Sequence, residues 1–564
     1  MRLRRGVGLA SADLPLLLLL ASAGLAIWPA YNRDACWPTL AAIASGVGIY
    51  FVISRTRGAE RVWRVIAGAG VMAGAVLSAH FVSQYGHLGY SEKLPYLDQA
   101  AAWFGAASPR LGSWAPDRNS VATGLEGVVF LAVGLAAAAR SRAWRATWSG
   151  AAFVLLAGLA LSASRGAWLG VAAAAAVWLM IRRSWIAARP AATAFTVAVP
   201  LLLGLVWLAA VVWWPEAAGS GAVVPALDRP DRVTLYRHSA VLAGDYPFTG
   251  IGLGGQFAML LSRYVLLIQV PFLTYSHNVY LQTWLELGLP GVLALAWLLT
   301  AFFVSLTVLP QLRHRTLAQA TALGILATFL HGVVDARQYV DLWAGLPVFV
   351  LLGLHTALVT PGETAPVRRA SRRWSAAAVL GLMALVAGAT WPIGAAWQAN
   401  LGAVRQAAAE LGDPAGSPAA RAGLAAAESH FRAALSTAPS DRTANLRLAL
   451  ILMDAGRYDE AVGYAAAAWE RDRNSLTPRK VLGLACVWTG DLGRAEPLLR
   501  AVPGIVGELN AWGWWQAGRG ETALALNAYG ASLTLDPDQP AVRDTVLRLR
   551  RPAQAAYGAA PGAR

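Results

Sequence analysis

The chain contains little cysteine, little lysine and little charge of any kind. Cys36 and Cys486 are the two cysteines among 564 residues and stand about 450 residues apart, which excludes a disulfide framework and leaves no zinc-site spacing. Lysine occurs only at Lys93 and Lys480, so the net charge of +16 comes almost entirely from arginine. Charged residues make up 14% of the chain and apolar ones 57%, whereas soluble domains carry roughly 25% charged residues. A single soluble domain is excluded, which leaves a polytopic membrane protein with a soluble part.

Arginine is gathered in short clusters between long apolar runs. Such clusters mark the cytoplasmic loops of membrane proteins. The sequence has no basic stripe interleaved with aromatic residues, so nucleic acid is not an expected partner. The clusters lie at 2–5, 55–64, 140–145, 182–189, 313–315 and 368–373. If every run between them crosses the membrane once, all the clusters share one side, which predicts a cytoplasmic N-terminus.

The apolar runs predict eleven transmembrane helices. They lie near 14–30, 38–54, 65–85, 120–139, 147–163, 166–181, 191–214, 283–309, 317–334, 341–359 and 375–393. One helix needs about 20 residues to cross the bilayer core, so the stretch 147–181 is read as two spans that meet at Ser164-Arg165-Gly166. An odd number of spans places this turn, the loop 215–282 and the C-terminal region on the external side.

After about residue 400 the continuous apolar runs give way to helical periodicity. An eight-residue pattern with Gly at its third position and a small Ala at its eighth occurs in 454–461, in 488–495 and, as a third copy, in 516–523. The first two copies are spaced like tetratricopeptide repeats, whose stacked helix pairs form surfaces that bind peptides or proteins. The predicted fold is therefore all-α, with a transmembrane bundle over 1–395, a soluble repeat domain over 396–550 and a flexible tail over 551–564. A helical cap without a partner is the alternative for the repeats.

The loop 215–282 is the most polar part of the membrane half and carries several motifs. Gly250–Gly255 lacks the Lys-Ser/Thr pair and the βαβ context of a nucleotide loop, so its glycines indicate a re-entrant or interfacial segment instead. The motifs are Arg232-x-x-x-Tyr236, Pro247-Phe248-x-Gly250-x-Gly252, His277-Asn278-x-Tyr280-Leu281-Gln282 and, just beyond the loop, Glu286-x-Gly288-x-x-Gly291.

Together these motifs resemble the O-antigen ligase and polymerase family of membrane glycosyltransferases. The motif region spans roughly 160–340, and the family's usual Arg-x-x-x-Trp has a tyrosine here, Tyr236. The resemblance implies transfer of a glycan from undecaprenyl diphosphate to an acceptor on the periplasmic face of a bacterial inner membrane. It implies no nucleotide sugar, no metal and no other cofactor. The acceptor is lipid A-core, another repeat unit or a protein, because ligases, polymerases and protein O-oligosaccharyltransferases share these motifs. A repeat domain outside favours a protein acceptor or partner.

The resemblance implies catalytic roles for Arg165, Arg232 and His277, with Arg237 as the alternative loop arginine. Guanidinium forks stabilise the charge of a diphosphate leaving group, and histidine is a base with a pKa near neutral. Further predicted substrate contacts are Arg237, Tyr236, Asn278, Tyr280, Gln282, His331 and Asp335. The alternatives are purely structural: Arg165 as an interfacial anchor, His277 as a helix cap, and the i, i+4 pair His331 and Asp335 as a packing hydrogen bond.

Two functions of other classes are alternatives to glycan transfer. A transporter or flippase for an anionic lipid would need charges along the bundle and broken helices near its midplane. A membrane-anchored scaffold, in which only the repeats act, would not need eleven spans.

Overall fold

The structure of the protein is a computed structural model. It describes residues 12–56, 60–88, 95–182, 232–268, 270–306, 315–337, 341–360 and 365–550. Within these ranges the chain is helical and contains no β-strand. The described residues form two compact units: one takes in those of 12–182, 232–261 and 270–389, and the other those of 262–268 and 390–550.

The first unit is a bundle of apolar helices. Ten of the eleven predicted runs coincide with a helix. The run 191–214, the first part of the loop, 215–231, and the tail 551–564 lie outside the described residues. Pro95–Ala107 has no counterpart among the predicted runs. The helices are Asp13–Leu25, Cys36–Arg55, Glu60–Gln84, Pro95–Ala107, Arg118–Ala138, Arg142–Leu161, Arg165–Arg182, Arg232–Asp245, Phe257–Leu261, Val279–Leu306, Arg315–His331, Leu342–Val359 and Ala365–Ala389.

The chain is a multi-pass membrane protein, but its span count remains a prediction. Among the described residues, five helices are long and apolar enough to cross a membrane, or six if Ala376–Ala389 and Ile393–Gly412 count as one span. Four of the other helices at predicted runs have only 13 to 18 residues, which is near or below the short end of the usual range for one crossing. Length and composition alone therefore do not establish eleven spans.

Two helices at the centre of the bundle approach closely because each carries a glycine at the crossing. A Cβ added to Gly324 would stand 2.6 Å from the carbonyl oxygen of Gly127, and one added to Gly134 would stand 2.4 Å from the Cβ of Ala320. Small residues at a helix interface allow this approach in membranes. The crossing of Arg118–Ala138 with Arg315–His331 brings Glu126, next to Gly127, beside His331.

The second unit consists of stacked helix pairs together with residues 262–268. Its helices are Ile393–Ala407, Pro418–Thr437, Arg442–Asp454, Tyr458–Arg471, Leu476–Thr489, Leu492–Leu499, Ile505–Gly518, Thr522–Leu535 and Pro540–Arg550. Turns join the two helices of each pair, as the sequence predicts. In three of them a left-handed glycine, Gly456, Gly490 or Gly520, ends the first helix. The amide that follows each glycine then donates to the carbonyl five residues earlier, which caps the helix end.

The third copy differs in register from the sequence-based expectation. The glycine that turns the chain is Gly520, whereas the third copy over 516–523 places Gly518 at the position of Gly456. The alanine five residues beyond each turning glycine is buried, at Ala461, Ala495 and Ala525. The register is therefore two residues later than expected, because the helix Ile505–Gly518 continues through Gly518 before the chain turns.

Candidate active site

Two glycine motifs that are separate in sequence form one structural unit. Gly288, with φ 62° and ψ −159°, interrupts the helix Val279–Leu306. The carbonyl of Leu285 instead accepts from the amide of Ile251 at 2.6 Å, and the amide of Leu289 donates to the carbonyl of Phe248 at 3.2 Å. The Pro-Phe-x-Gly-x-Gly turn thus satisfies both groups that the break leaves unpaired.

This packing requires glycine on both sides. A Cβ on Gly288 would stand 2.3 Å from the carbonyl oxygen of Phe248, and one on Gly250 would stand 2.6 Å from the amide nitrogen of Gly288. The turn continues to Gln256, whose side chain exchanges hydrogen bonds with the backbone of Asn32. Gly250–Gly255 therefore packs the loop against its neighbours, and no strand precedes it in the described chain.

The loop before Val279–Leu306 is held in place by the side chains around His277. Asn278 begins this helix: its Oδ1 accepts from the amides of Tyr280 and Leu281, and its Nδ2 donates to the carbonyl of Val333 at 2.9 Å. Tyr280 donates to the carbonyl of Phe329. Gln282 accepts from the amide of Ser276 and donates to Glu286, an internal chain of buried polar groups.

The imidazole ring of His277 faces a small set of charged and aromatic groups. Its φ of 53° lies in the left-handed region, which a non-glycine residue seldom adopts and which is enriched at functional sites. The ring lies 4.1 Å from that of Tyr275, and Nδ1 lies 4.0 Å from Oδ1 of Asp335. The imidazole is one-quarter exposed, whereas the Asp335 carboxylate is buried.

The pKa of His277, in the loop outside the spanning helices, is low. Burial, together with the charges of Arg232 and Arg337, lowers it to about 4, although the charge of Asp335 opposes them. The imidazole is therefore neutral near pH 7 and able to accept a proton.

Arg232 and Arg237 lie on different faces of the helix Arg232–Asp245. Arg232 shares a face with Tyr236, four residues on, whose hydroxyl donates to the carbonyl of His277 at 3.0 Å and to that of Val333 at 3.2 Å. Arg237 is about 100° around the helix from Tyr236. The face of Arg232 and Tyr236 is thus the one directed at His277, and the Arg232 side chain is exposed.

Arg165 begins its helix beside His331. Ser164 Oγ lies 3.5 Å from Nε2 of His331, and a Cβ on Gly166 would stand 2.8 Å from the same ring. His331 is anchored on its other side by Glu126, with Nδ1 to Oε2 at 2.8 Å, both groups fully buried. The side chain of Arg165 is exposed, and the backbone on both sides of it is held by the contacts of Ser164 and Gly166 with His331.

The structure brings the predicted site residues together from four parts of the chain. Arg165 adjoins His331; Asp335, four residues beyond His331, faces His277; and Arg232 with Tyr236 covers the same loop. Asn278, Tyr280 and Gln282 lie here too, with their polar atoms bonded within the protein.

Three residues near this cluster were not among the predicted ones: Glu126, Tyr275 and Arg337. Arg337 lies with its guanidinium 4.8 Å from the centre of the Tyr275 ring and pairs with Asp117 and Asp341. Glu126 had a usable signal, since an ionisable residue inside an apolar span is a functional candidate. Tyr275 and Arg337 had none that local patterning would reveal.

In the described ranges no group of three or more His, Cys, Asp or Glu is placed to hold a metal ion.

Known proteins resemble two parts of the chain. No curated protein matches the chain significantly. Residues 424–479 match a family model described as tetratricopeptide repeat. Residues 150–296, which contain Arg165, Arg232 and His277, match the family model described as O-antigen ligase.

Proposed function

We propose that the protein transfers a glycan from a polyprenyl-diphosphate donor to an acceptor on the external face of a bacterial inner membrane. The observation that carries the proposal is the convergence of Arg165, Arg232, His277 and Asp335 in a chain whose residues 150–296 match the O-antigen ligase family model. The cluster combines cationic groups with a neutral imidazole, which are the two functions that transfer from a diphosphate requires.

In this proposal the two exposed arginines bind the donor diphosphate. Breaking the bond between the sugar and the diphosphate leaves the electron pair on a phosphate oxygen. Arg165 and Arg232 stabilise that charge with bidentate hydrogen bonds. Arg232 is preferred to Arg237 because it shares the face of Tyr236 that contacts the His277 loop.

His277 acts as the general base. The acceptor hydroxyl forms a bond to the anomeric carbon while its proton passes to the neutral imidazole. The imidazolium that results is stabilised by the Asp335 carboxylate, 4.0 Å from Nδ1. Asn278, Tyr280 and Gln282 shape the loop through their internal hydrogen bonds and act indirectly on the substrate.

The experiment is glycan transfer by the full-length protein in vesicles, with and without a lipid-linked donor. His277→Ala should lower the rate by about 10²- to 10⁴-fold, the usual contribution of a general base. His430→Ala, a histidine substitution in the repeats, is the matched control and should leave the rate unchanged.

The same assay separates the rivals and the acceptors. Movement of the donor across the bilayer without transfer would replace the proposal with transport, and the absence of both transfer and movement in the wild type would leave a scaffold. Lipid A-core, a second donor molecule and a protein are offered in parallel, so that ligase, polymerase and protein-glycosylating activities are distinguished.

A further inference from the structure

A short piece of the ligase half is bound by the repeats. Ser262–Leu267 leaves the first unit after the helix Phe257–Leu261 and belongs to the second unit. Ser262, Tyr264 and Val265 are buried there. We use the term loop-binding face for the repeat residues that hold this segment: Glu410, Arg447, Asp454, Thr477 and Lys480.

Arg263 forms ion pairs with two carboxylates of the loop-binding face. Its Nε lies 3.0 Å from Oε2 of Glu410, and its Nη2 lies 2.6 Å from Oδ2 of Asp454. The hydroxyl of Tyr264 donates to the same Glu410 oxygen at 3.1 Å. One guanidinium therefore bridges two carboxylates that come from different helical elements of the repeats.

The repeats also contact the aromatic ring of Tyr264 and two backbone carbonyls of the segment. The guanidinium carbon of Arg447 lies 3.5 Å from the centre of the Tyr264 ring, and both side chains are fully buried. Thr477 Oγ1 donates to the carbonyl of Val265 at 2.5 Å, and Lys480 Nζ donates to that of Leu267 at 3.2 Å.

The backbone conformation of Leu267 is independent evidence that the repeats constrain this segment. Its φ of 52° is in the left-handed region, an outlier for a bulky residue that persists only where the surroundings impose it. Its side chain packs on the apolar core of the repeats. His277, ten residues later, has nearly the same unusual φ, 53°.

We propose that the repeat domain acts on its own chain, as the device that positions the loop carrying His277. Only nine residues lie between Leu267 and His277, so anchoring one end restricts the conformations open to the other. Arg263, Glu410 and Asp454 are then positioning residues for transfer. The partner that the loop-binding face fits is an Arg-Tyr segment of this same protein, and an acceptor protein must use another surface. This inference rests on the proposed function through the role of His277.

The test compares Arg263→Ala with Arg432→Ala in full-length protein in vesicles. Arg432 is the matched control, because it also bridges two carboxylates, Glu428 and Glu460, and its side chain is 39% exposed against 42% for Arg263. Two measurements are made: amide hydrogen exchange over 270–278, and kcat and KM for transfer. Thr477→Val, which removes only the hydrogen bond to Val265, is the second variant.

Arg263→Ala should speed exchange over 270–278 and lower kcat by about 3- to 10-fold, the effect of losing one partly exposed ion-pair network, with the donor KM within about twofold. Arg263→Lys should restore part of kcat. The double variant Arg263→Ala with Asp454→Ala should have nearly the same kcat as Arg263→Ala alone, because both substitutions remove the same ion pair, Arg263 with Asp454. Thr477→Val should change in the same direction. If Arg263→Ala and Thr477→Val match Arg432→Ala in exchange and kcat, the positioning role is wrong. If wild type shows no transfer, the proposed function fails while the exchange comparison still decides the positioning.

Discussion

Asn278 and His277 are adjacent, yet their side chains do different work. Asn278 caps the helix Val279–Leu306 and ties the loop to Val333, so the helix cap that was the structural alternative for His277 is supplied by its neighbour. The histidine is then free of a local structural duty, and its ring faces Asp335 and Tyr275. At the scale of single residues, this division of roles is what makes His277 a candidate base.

The arginines make the first prediction at this scale. Arg165→Ala and Arg232→Ala should each weaken donor binding or turnover by roughly 10- to 100-fold, since a hydrogen bond to a charged group contributes about 1.5–3 kcal/mol. Arg165→Lys should not rescue, because an ammonium cannot form the bidentate pair. Donor affinity and turnover at matched protein levels are the measurements.

Arg237→Ala is the internal comparison for that series. We expect it to be milder than Arg232→Ala, since Arg237 lies off the face that carries Tyr236. Wild-type behaviour of Arg165→Ala would overturn the diphosphate clamp. A defect confined to Arg237→Ala within the loop pair would overturn only the choice of arginine.

The second prediction concerns pH. A general base must be neutral, so transfer should be lost as the pH falls through the pKa of His277, about 4, and not through the ordinary histidine value of 6.5. The profile of kcat/KM from pH 4 to 8 should therefore stay level down to about pH 5. Arg337→Gln removes a positive charge that lowers this pKa, so the acid limb should move to higher pH. A half-loss near pH 6.5 in the wild type would contradict the assignment.

At the scale of elements, the turn at Gly250 and the helix break at Gly288 depend on one another. The turn supplies the hydrogen bonds that the broken helix loses, and neither backbone leaves space for a Cβ. The two motifs therefore set the path of the chain on both sides of the His277 loop.

The third prediction tests this dependence. Gly288→Ala should destabilise the protein by roughly 1–3 kcal/mol or more, because the added methyl meets Phe248 and the backbone conformation is essentially restricted to glycine. Gly244→Ala is the control, since it lies in a helix with no atom within 4 Å of the added Cβ, and it should be neutral or stabilising. Thermal unfolding of the detergent-solubilised protein measures both. Equal melting temperatures would show that the break does not need glycine.

At the scale of the whole molecule, the alternation of arginine clusters predicts which side each part occupies. The fourth prediction is that a reporter fused after Thr360 reads cytoplasmic and one fused after Arg550 reads external. The helix Ala365–Ala389 between them would cross the membrane once. The same signal from both fusions would contradict the topology and the external placement of the repeats.

The fifth prediction concerns the repeats as a separate part. Residues 390–550 expressed alone should fold as a helical domain, but Arg447 and Glu410 would lack the partners that Tyr264 and Arg263 provide. A synthetic peptide of residues 260–269 should therefore bind it and raise its melting temperature progressively as the peptide concentration is increased. The same peptide with alanine at Arg263 and Tyr264 is the control, and equal effects of the two would argue against the loop-binding face.

The sequence by itself determined the features that act over a few residues. Apolar length predicts the membrane helices, and glycine at the end of a helix predicts the turns of the repeats, of which Gly456 and Gly490 were placed correctly. The motifs around His277 sufficed for the resemblance to O-antigen ligases, because family motifs are read along the chain. The third repeat was placed two residues too early because a helix can run through one glycine and end at the next.

The tertiary structure alone decided which distant groups meet. Glu126 contacts His331 through a helix crossing, and Arg263 reaches Glu410 and Asp454 across 147 and 191 residues. No local pattern encodes such pairs, since a buried carboxylate and a loop arginine look the same in sequence whatever they contact. The different surroundings of Arg232 and Arg237 are of this kind as well. Both lie in one helix, and only the packing of Tyr236 on the His277 loop distinguishes their faces.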